Sequence, residues 1–231
     1  MKTVLITGSS HGLGKKLAIV FAKNGYNIIL HGREKKALQE VKKRVRKYCV
    51  KCDVVIGDIT SKETITQLSE VSERRNIDIL INNAGIYEHK QFTDSCIDDF
   101  RKIINVNLIA PVDLTHKVFP IFQRKHSGLI ININSIAGKD GKDGEATYSA
   151  SKHGLSGFSK SLQFNATQYN IRIMDIYLGA MDTQMTKERK VIGELIQTSD
   201  AAELIFDVSK EYASMRITEV HLYRRIYKKL I

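Results

Sequence analysis

The sequence predicts an α/β fold: a single domain over residues 1–231, built on a doubly wound parallel sheet of about seven strands with helices on both faces. Three observations carry this expectation. Short apolar runs alternate strictly with amphipathic stretches. Several of the runs are almost continuous Ile, Val and Leu, as befits strands covered on both sides. A glycine-rich turn follows directly on the first run.

Taken in order, the strands fall at Thr3–Thr7, Asn27–His31, Asp53–Gly57, Ile77–Asn82, Gly128–Asn134, Arg172–Tyr177 and Ile217–Leu222. Helical patterns lie near 12–24, 34–47, 61–75, 96–125, 147–169 and 199–213. Nothing in the chain reads as a linker, a repeat or a low-complexity segment.

Composition narrows the function. With 42% hydrophobic and 7% aromatic residues, a chain of 231 residues buries a full core. No apolar run approaches the ~18 residues of a membrane span. Met1–Thr7 runs straight into Gly8 with no cleavage region, so a cytoplasmic location is expected. Cys49 and Cys52 have CxxC spacing but flank the start of a strand, where i and i+3 point to opposite faces. Only Cys96 remains as a further thiol, so ordinary reduced cysteines and no metal are expected. The net charge of +11 comes largely from lysines at helical spacing, such as Lys35, Lys36, Lys42, Lys43 and Lys47, and reads as a solvated face. The tail Tyr223–Lys229 interleaves aromatic and basic residues, but no nucleic-acid-binding motif stands beside it. Neither a nucleic acid nor a membrane is expected as a partner.

The turn Thr7–Gly8–Ser9–Ser10–His11–Gly12–Leu13–Gly14 carries the first chemical signal. Gly8 allows a tight turn, Gly12 lets the backbone approach a diphosphate, and Gly14 permits close helix–strand packing. The helix that follows offers free N–H groups and a positive dipole end to phosphates. A dinucleotide is therefore the expected cofactor, in a Rossmann fold. An acid usually ends the second strand of such folds and bonds the adenosine ribose. Here the strand ends in His31–Gly32–Arg33, with Gly32 clearing space beside Arg33. A guanidinium suits a 2′-phosphate, so NADP(H) is expected, with NAD the weaker alternative.

Tyr148 and Lys152 stand at i and i+4 on one helix face. A free Tyr titrates near pH 10; a nearby ammonium stabilises phenolate and makes proton exchange feasible near neutrality. Ser135 closes the fifth strand at its carboxyl edge, where α/β sites form, and its hydroxyl is suited to hold a substrate oxygen beside the Tyr148 hydroxyl. Pro111 lies four residues beyond Asn107 and gives its carbonyl no N–H. That carbonyl is expected to be free inside a long helix and to take another donor such as water.

Together, the T-G-x-x-x-G-x-G turn, the Tyr148–Lys152 pair and the thirteen-residue offset from Ser135 to Tyr148 resemble the short-chain dehydrogenase/reductase family in its classical type. The resemblance spans residues 3 to about 183. It implies a hydride transfer between a nicotinamide dinucleotide and a small carbonyl or alcohol. It adds Asn107 to Ser135, Tyr148 and Lys152 as a fourth catalytic residue, whose carbonyl holds a water that links Lys152 to solvent. Lys152 would also bond the nicotinamide ribose. Ser10, His11, Leu13, Asp58 and Ile59 fall at cofactor-contacting positions, with His11 a second cation and Asp58 near the adenine. Asn83, Ala84 and Gly85 match the family's element bordering the cofactor. Gly179 and Thr183 match the element whose Thr bonds the carboxamide, although Leu178 replaces its usual Pro. The resemblance further implies a homodimer or homotetramer, with the helices at 96–125 and 147–169 as its faces, and a substrate lid at about 184–198. Two readings stand beside it: an NAD-linked alcohol dehydrogenase of the same family, and a dinucleotide-sensing protein without catalysis.

Overall fold

The computed structural model describes residues 1–183, 194–212 and 214–225. Among these, seven strands form one parallel sheet: β1 Thr3–Ile6, β2 Asn27–Gly32, β3 Cys52–Ile56, β4 Ile79–Asn82, β5 Gly128–Ser135, β6 Ile171–Leu178 and β7 Glu219–Leu222. Their spatial order is β3-β2-β1-β4-β5-β6-β7, so the winding reverses between β1 and β4 and opens a crevice at their carboxyl ends. The predicted strands are all present, with ends shifted by up to two residues. The strand expected from Ile77 starts at Ile79 because Asp78 is drawn into capping β1, accepting the Thr3 N–H at 2.7 Å.

Seven helices accompany the sheet among the described residues: α1 Gly12–Lys23, α2 Lys35–Arg46, α3 Lys62–Arg75, α4 Ile97–Ile104, α5 Ala110–Lys125, α6 Ala146–Thr167 and α7 Thr198–Ser209. Helices α1, α2 and α7 cover one sheet face, where Leu17, Phe21, Leu38, Val41 and Ile205 meet the apolar residues of β1, β2 and β6. Phe21 anchors that layer, meeting Tyr26 and Phe206 edge-on with ring centroids 5.2 Å away in each case. Helices α3, α5 and α6 cover the other face around Leu68, Leu114, Phe122 and Ile130. None of the described helices is long and apolar enough to cross a membrane.

The long helix expected over 96–125 is corrected by the structure. Its middle, Asn105–Ile109, is a π turn between α4 and α5, in which the Ala110 N–H bonds the Asn105 carbonyl one residue further back than in an α-helix. The ladder thus meets the missing Pro111 N–H by widening over one turn. Of the expected lid, residues 184–193 lie outside the described residues, as do 226–229 of the basic tail.

Leu17 is fully buried at the α1–sheet contact. Leu17→Ala is expected to cost about 2–5 kcal/mol through lost contacts and a residual cavity. Thermal unfolding should show a Tm lowered by roughly 5–15 °C at that cost.

Candidate functional site

The floor of the crevice is the joint between the turns that follow β1 and β4. Gly8 has a φ of +63° and lies so close to Ala84 that a Cβ would meet its Cα at 2.8 Å. Gly14 has no room for a side chain either, because the Gly8 carbonyl and the Asn83 amide occupy that space. The Asn83 side chain donates to the Thr7 and Gly8 carbonyls at 2.8 and 3.0 Å. The Thr7 hydroxyl in turn accepts the Asn83 and Ala84 N–H groups, each at 3.0 Å. The result is a backbone cradle that opens onto the start of α1. His11 occupies the N-cap there but makes no side-chain capping bond to the first-turn N–H groups. A diphosphate fits this cradle: the glycines keep it bare and the helix end supplies donors.

Sequence reasoning missed the role of His31, which turns inward beneath the turn and is only 2% exposed. Its Nε2 lies 3.2 Å from the Gly57 carbonyl, and its Nδ1 accepts the Gly8 N–H at 3.5 Å. One neutral tautomer satisfies both contacts. Ser9 completes the lock: its hydroxyl accepts the His31 N–H at 3.0 Å and donates to the His31 carbonyl at 3.1 Å. Burial pushes His31 down to about 4, against the weaker pull of the Gly57 bond and of Asp58. Gly32 also has a different duty from the one expected. The Ser10 hydroxyl, not open space beside Arg33, occupies the position a Cβ would need.

At the outer end, Arg33, Asp58, Thr60, Ile86, Lys102, Asn105 and Val106 line an open cavity of about 340 Å³. Arg33 lies 3.9 Å from Asp58, and His11 lies 3.0 Å from Glu34. Both pairs are largely exposed, so Arg33 is held only weakly in place, and His11 with Glu34 is an ion pair only when the imidazole is protonated. Thr60 donates to Asp58 through both backbone and hydroxyl, which holds that carboxyl below its usual range. Ile59 is buried beside it.

The structure brings the sequence-predicted proton-transfer residues to the carboxyl end of β5. Ser135 ends that strand, and its oxygen accepts the Ala137 N–H at 3.1 Å, leaving its own proton to donate. Lys152 is buried on α6 with its ammonium 5.9 Å from the centre of the Tyr148 ring. The same ammonium donates to the Ile133 carbonyl at 2.8 Å. Burial lowers Lys152 to about 8, and the charge of Asp175 acts in the opposite direction. Asn107, 1% exposed in the π turn, clamps the chain after β4 to α6. Its amide accepts the Ile86 N–H and donates to the Ile86 carbonyl, both at 2.9 Å, and also donates to the Ser151 hydroxyl at 3.1 Å. Gly85 lies within this clamp, where a Cβ would meet the Asn107 oxygen at 3.3 Å.

Tyr87 and Glu145 also had no signature in the sequence. The Tyr87 ring meets Tyr148 edge-on at 4.9 Å, and its hydroxyl donates to the buried Glu145 carboxylate at 2.9 Å. Beyond β6, Leu178 keeps the N–H that a Pro would lack and continues the ladder between Ser135 and Leu222. Gly179 donates to the Leu222 carbonyl at 2.8 Å. The loop is then tied back by Asp182, which donates to Ile196, and Thr183 closes against Gly12 at 3.5 Å from where a Cβ would stand.

Comparison with known proteins agrees with this architecture. Residues 2–191 match the family model described as short chain dehydrogenase. The 3-oxoacyl-[acyl-carrier-protein] reductase of Aquifex aeolicus is 30% identical over 233 residues, covering 95% of this chain and 94% of that one. The NADP-dependent 3-hydroxy acid dehydrogenase of Schizosaccharomyces pombe is 34% identical over 193 residues, covering 81% of this chain and 74% of its own. Among solved structures, a short-chain dehydrogenase from Sphingobium yanoikuyae in complex with NADPH superposes with a TM-score of 0.85 at 26% identity, over 96% of this chain and 87% of that one.

The His31 lock gives a stability that depends on pH with a definite sign. Its folded value near 4 lies below the ordinary 6.5, so an unfolded chain takes up the proton first as pH falls. The contribution is complete above pH 6.5 and is lost as pH falls towards 4, the loss reaching about 2 kcal/mol at pH 5. Urea unfolding at pH 7 and pH 5 should show a smaller difference between the two conditions in His31→Gln than in the parent protein. Equal differences would contradict the assignment.

Proposed function

The chain belongs to the short-chain dehydrogenase family of NAD(P)-dependent oxidoreductases, and we propose that it interconverts a small carbonyl and an alcohol with NADP(H), using Tyr148 as general acid and base. The observation that carries this reading is the buried Lys152 ammonium beside the Tyr148 ring, at the end of the strand that delivers Ser135. An ammonium held buried at the carboxyl edge of a parallel sheet is costly, and such groups cluster at functional sites.

In the direction of reduction, the substrate oxygen is held by the Ser135 and Tyr148 hydroxyls. A nicotinamide dinucleotide held in the glycine cradle would supply the hydride. Tyr148 gives its proton to the developing alkoxide, and the Lys152 ammonium stabilises the phenolate that remains. A water on the Asn107 main-chain carbonyl returns the proton from solvent through Lys152. Oxidation runs the same path backwards. Lys152 is also the residue to bond the nicotinamide ribose, and Thr183 with Gly179 the nicotinamide amide.

The cradle of Gly8, Ser10, Gly12, Leu13 and Gly14 would take the diphosphate, with Asn83, Ala84 and Gly85 forming its far wall. Asp58 and Ile59 would border the adenine. The preference for NADP(H) rests on Arg33 at the cavity, a cation whose acidic partner a phosphate dianion would displace, and on His11, whose ring nitrogen, 3.0 Å from Glu34, offers a further contact. The names of the relatives, which refer to a 3-oxo and a 3-hydroxy group, support a reaction at a carbonyl or carbinol carbon. A homodimer or homotetramer is favoured by apolar side chains left exposed on α4, the π turn and α6: Ile97 (62%), Ile109 (51%) and Phe164 (84%).

Two measurements test the reading. Tyr148→Phe should lower kcat by at least about 10²-fold while NADPH binding stays within a few-fold of the parent. Retained turnover would overturn the assignment. Arg33→Ala should reduce kcat/KM for NADPH by roughly 10-fold or more and leave NADH nearly unaffected, as expected when a charge-assisted phosphate contact is lost. Indifference to that change would favour the NAD-linked alternative.

A further inference from the structure

The helix face that carries Tyr148 and Lys152 continues beyond them. Ser156 and Ser159 follow on the same face at i+4 and i+7 from Lys152, and both hydroxyls meet β6. Ser159 donates to one oxygen of Asp175 at 2.8 Å, and Tyr177 donates to the other at 3.2 Å. With the Tyr177 proton committed there, Ser156 donates to the Tyr177 oxygen at 2.7 Å. Asp175 is 2% exposed and shares its strand face with the apolar Ile171 and Ile173.

A carboxylate in such a place is costly unless hydrogen bonds and a cation offset its burial. Burial pushes Asp175 up to about 6, while the bonds from Ser159, Asn132 and Tyr177 act against that rise. Above neutrality the group is therefore charged. The neighbouring strand brings Glu219 into register with Asp175, where its charge adds to that rise, while Glu219 itself is held by partners at the sheet edge. The ammonium groups of Lys139 and Lys160 lie 2.9 and 3.5 Å from it, and the His221 ring nitrogen lies 3.4 Å away. Lys139 also sits over the Tyr177 ring at 4.3 Å. On the catalytic side, Lys152 donates to the carbonyl of Ile133, next in β5 to the Asn132 that stands in register with Asp175, which brings its ammonium within the field of the carboxylate.

We infer that Asp175 is a positioning residue for the proton transfer: its buried carboxylate, tied through Ser159 and Tyr177 to the face of α6, is the counter-charge that keeps Lys152 an ammonium between that helix and the sheet. This rests on the reading of Tyr148 and Lys152 given above. Removal of the carboxylate lowers the pH at which Lys152 loses its proton. The phenolate of Tyr148 then loses its stabilising neighbour within the working range.

The test is the pH profile of kcat/KM for carbonyl reduction with NADPH, from pH 6 to 9.5, in the parent protein, Asp175→Asn, Tyr177→Phe and Tyr148→Phe. Asp175→Asn should lose about three- to tenfold at pH 8.5, corresponding to an alkaline limb moved down by up to about one unit. At pH 6, where Lys152 is an ammonium with or without Asp175, it should stay within about twofold of the parent. Tyr177→Phe removes a hydrogen bond to the same carboxylate but keeps its charge, so its alkaline limb should match the parent. A purely structural role would lower Asp175→Asn by the same factor at every pH, and that parallel profile overturns the inference.

Should Asp175→Asn fail to fold, the wild-type protein with ¹³C-labelled lysine decides the matter. The Lys152 resonance, assigned by its loss in Lys152→Met, should show an inflection near pH 6 as Asp175 takes up its proton. A resonance without that inflection contradicts the coupling. Turnover surviving in Tyr148→Phe would instead sink the catalytic reading, while the NMR titration would still report separately on Asp175 and Lys152.

Discussion

The hydrogen bonds between Thr7 and Asn83 join two turns that are seventy-six residues apart in the chain. Thr7 uses its side chain, and Asn83 both backbone and side chain, to hold the carboxyl ends of β1 and β4 at the point where the sheet reverses its winding. Everything placed at that crevice depends on the joint. It sets how closely Gly8 approaches Ala84, and it positions the start of α1 over the floor. The neutral His31 ring supports the same turn from below, so the cradle is braced from β2 as well as from β4.

The fold was legible in the sequence because strand and helix periodicities seldom conflict in this chain. Strands of nearly uniform Ile and Leu, such as Leu129–Ile131, have no sensible place except inside a covered parallel sheet. The shared face of Tyr148 and Lys152 was legible as spacing, because i and i+4 on a helix necessarily lie together. What the sequence concealed were contacts made by long-range convergence. Nothing local in the chain announces that Tyr87 will lie against Tyr148, or that Asn107 will hold Ile86 to Ser151. Pro111 did signal a break in the helix, but sequence alone did not reveal that the ladder would widen into a π turn. His31 was read only as a missing acid, although a polar residue ending an apolar strand was the available hint of an inward role. Asp175 and Asn132, polar residues inside otherwise apolar strands, offered the same hint.

The two ends of the crevice handle charge in opposite ways. At the outer end, Arg33 and His11 are paired with acids in exposed positions, where solvent screens the attraction and an incoming anion can replace it. At the inner end, Lys152 and Asp175 are shielded from water, and their charges act through a medium of low polarizability. Exchangeable partners suit recognition. Fixed ones suit proton transfer, since a charge that does not reorganise acts with full strength when the reaction occurs.

The position of Asp175 also bears on how the sheet assembles. In the observed pairing Asn82 stands beside Asn132, Asn132 beside Asp175, and Asp175 beside Glu219. One polar row thus crosses four strands on the face that α6 covers, above a layer that is otherwise apolar. Apolar strands that are alike on both sides carry little information about alignment, and a shift of one residue would exchange one greasy face for the other. Here the same shift would turn Asp175 away from Ser159 and into the layer of Met174 and Ile176, leaving a charge stranded in hydrocarbon. The row is a registration mark: it penalises misaligned strand pairings during folding and leaves one alignment in which every polar group in the row faces its neighbours.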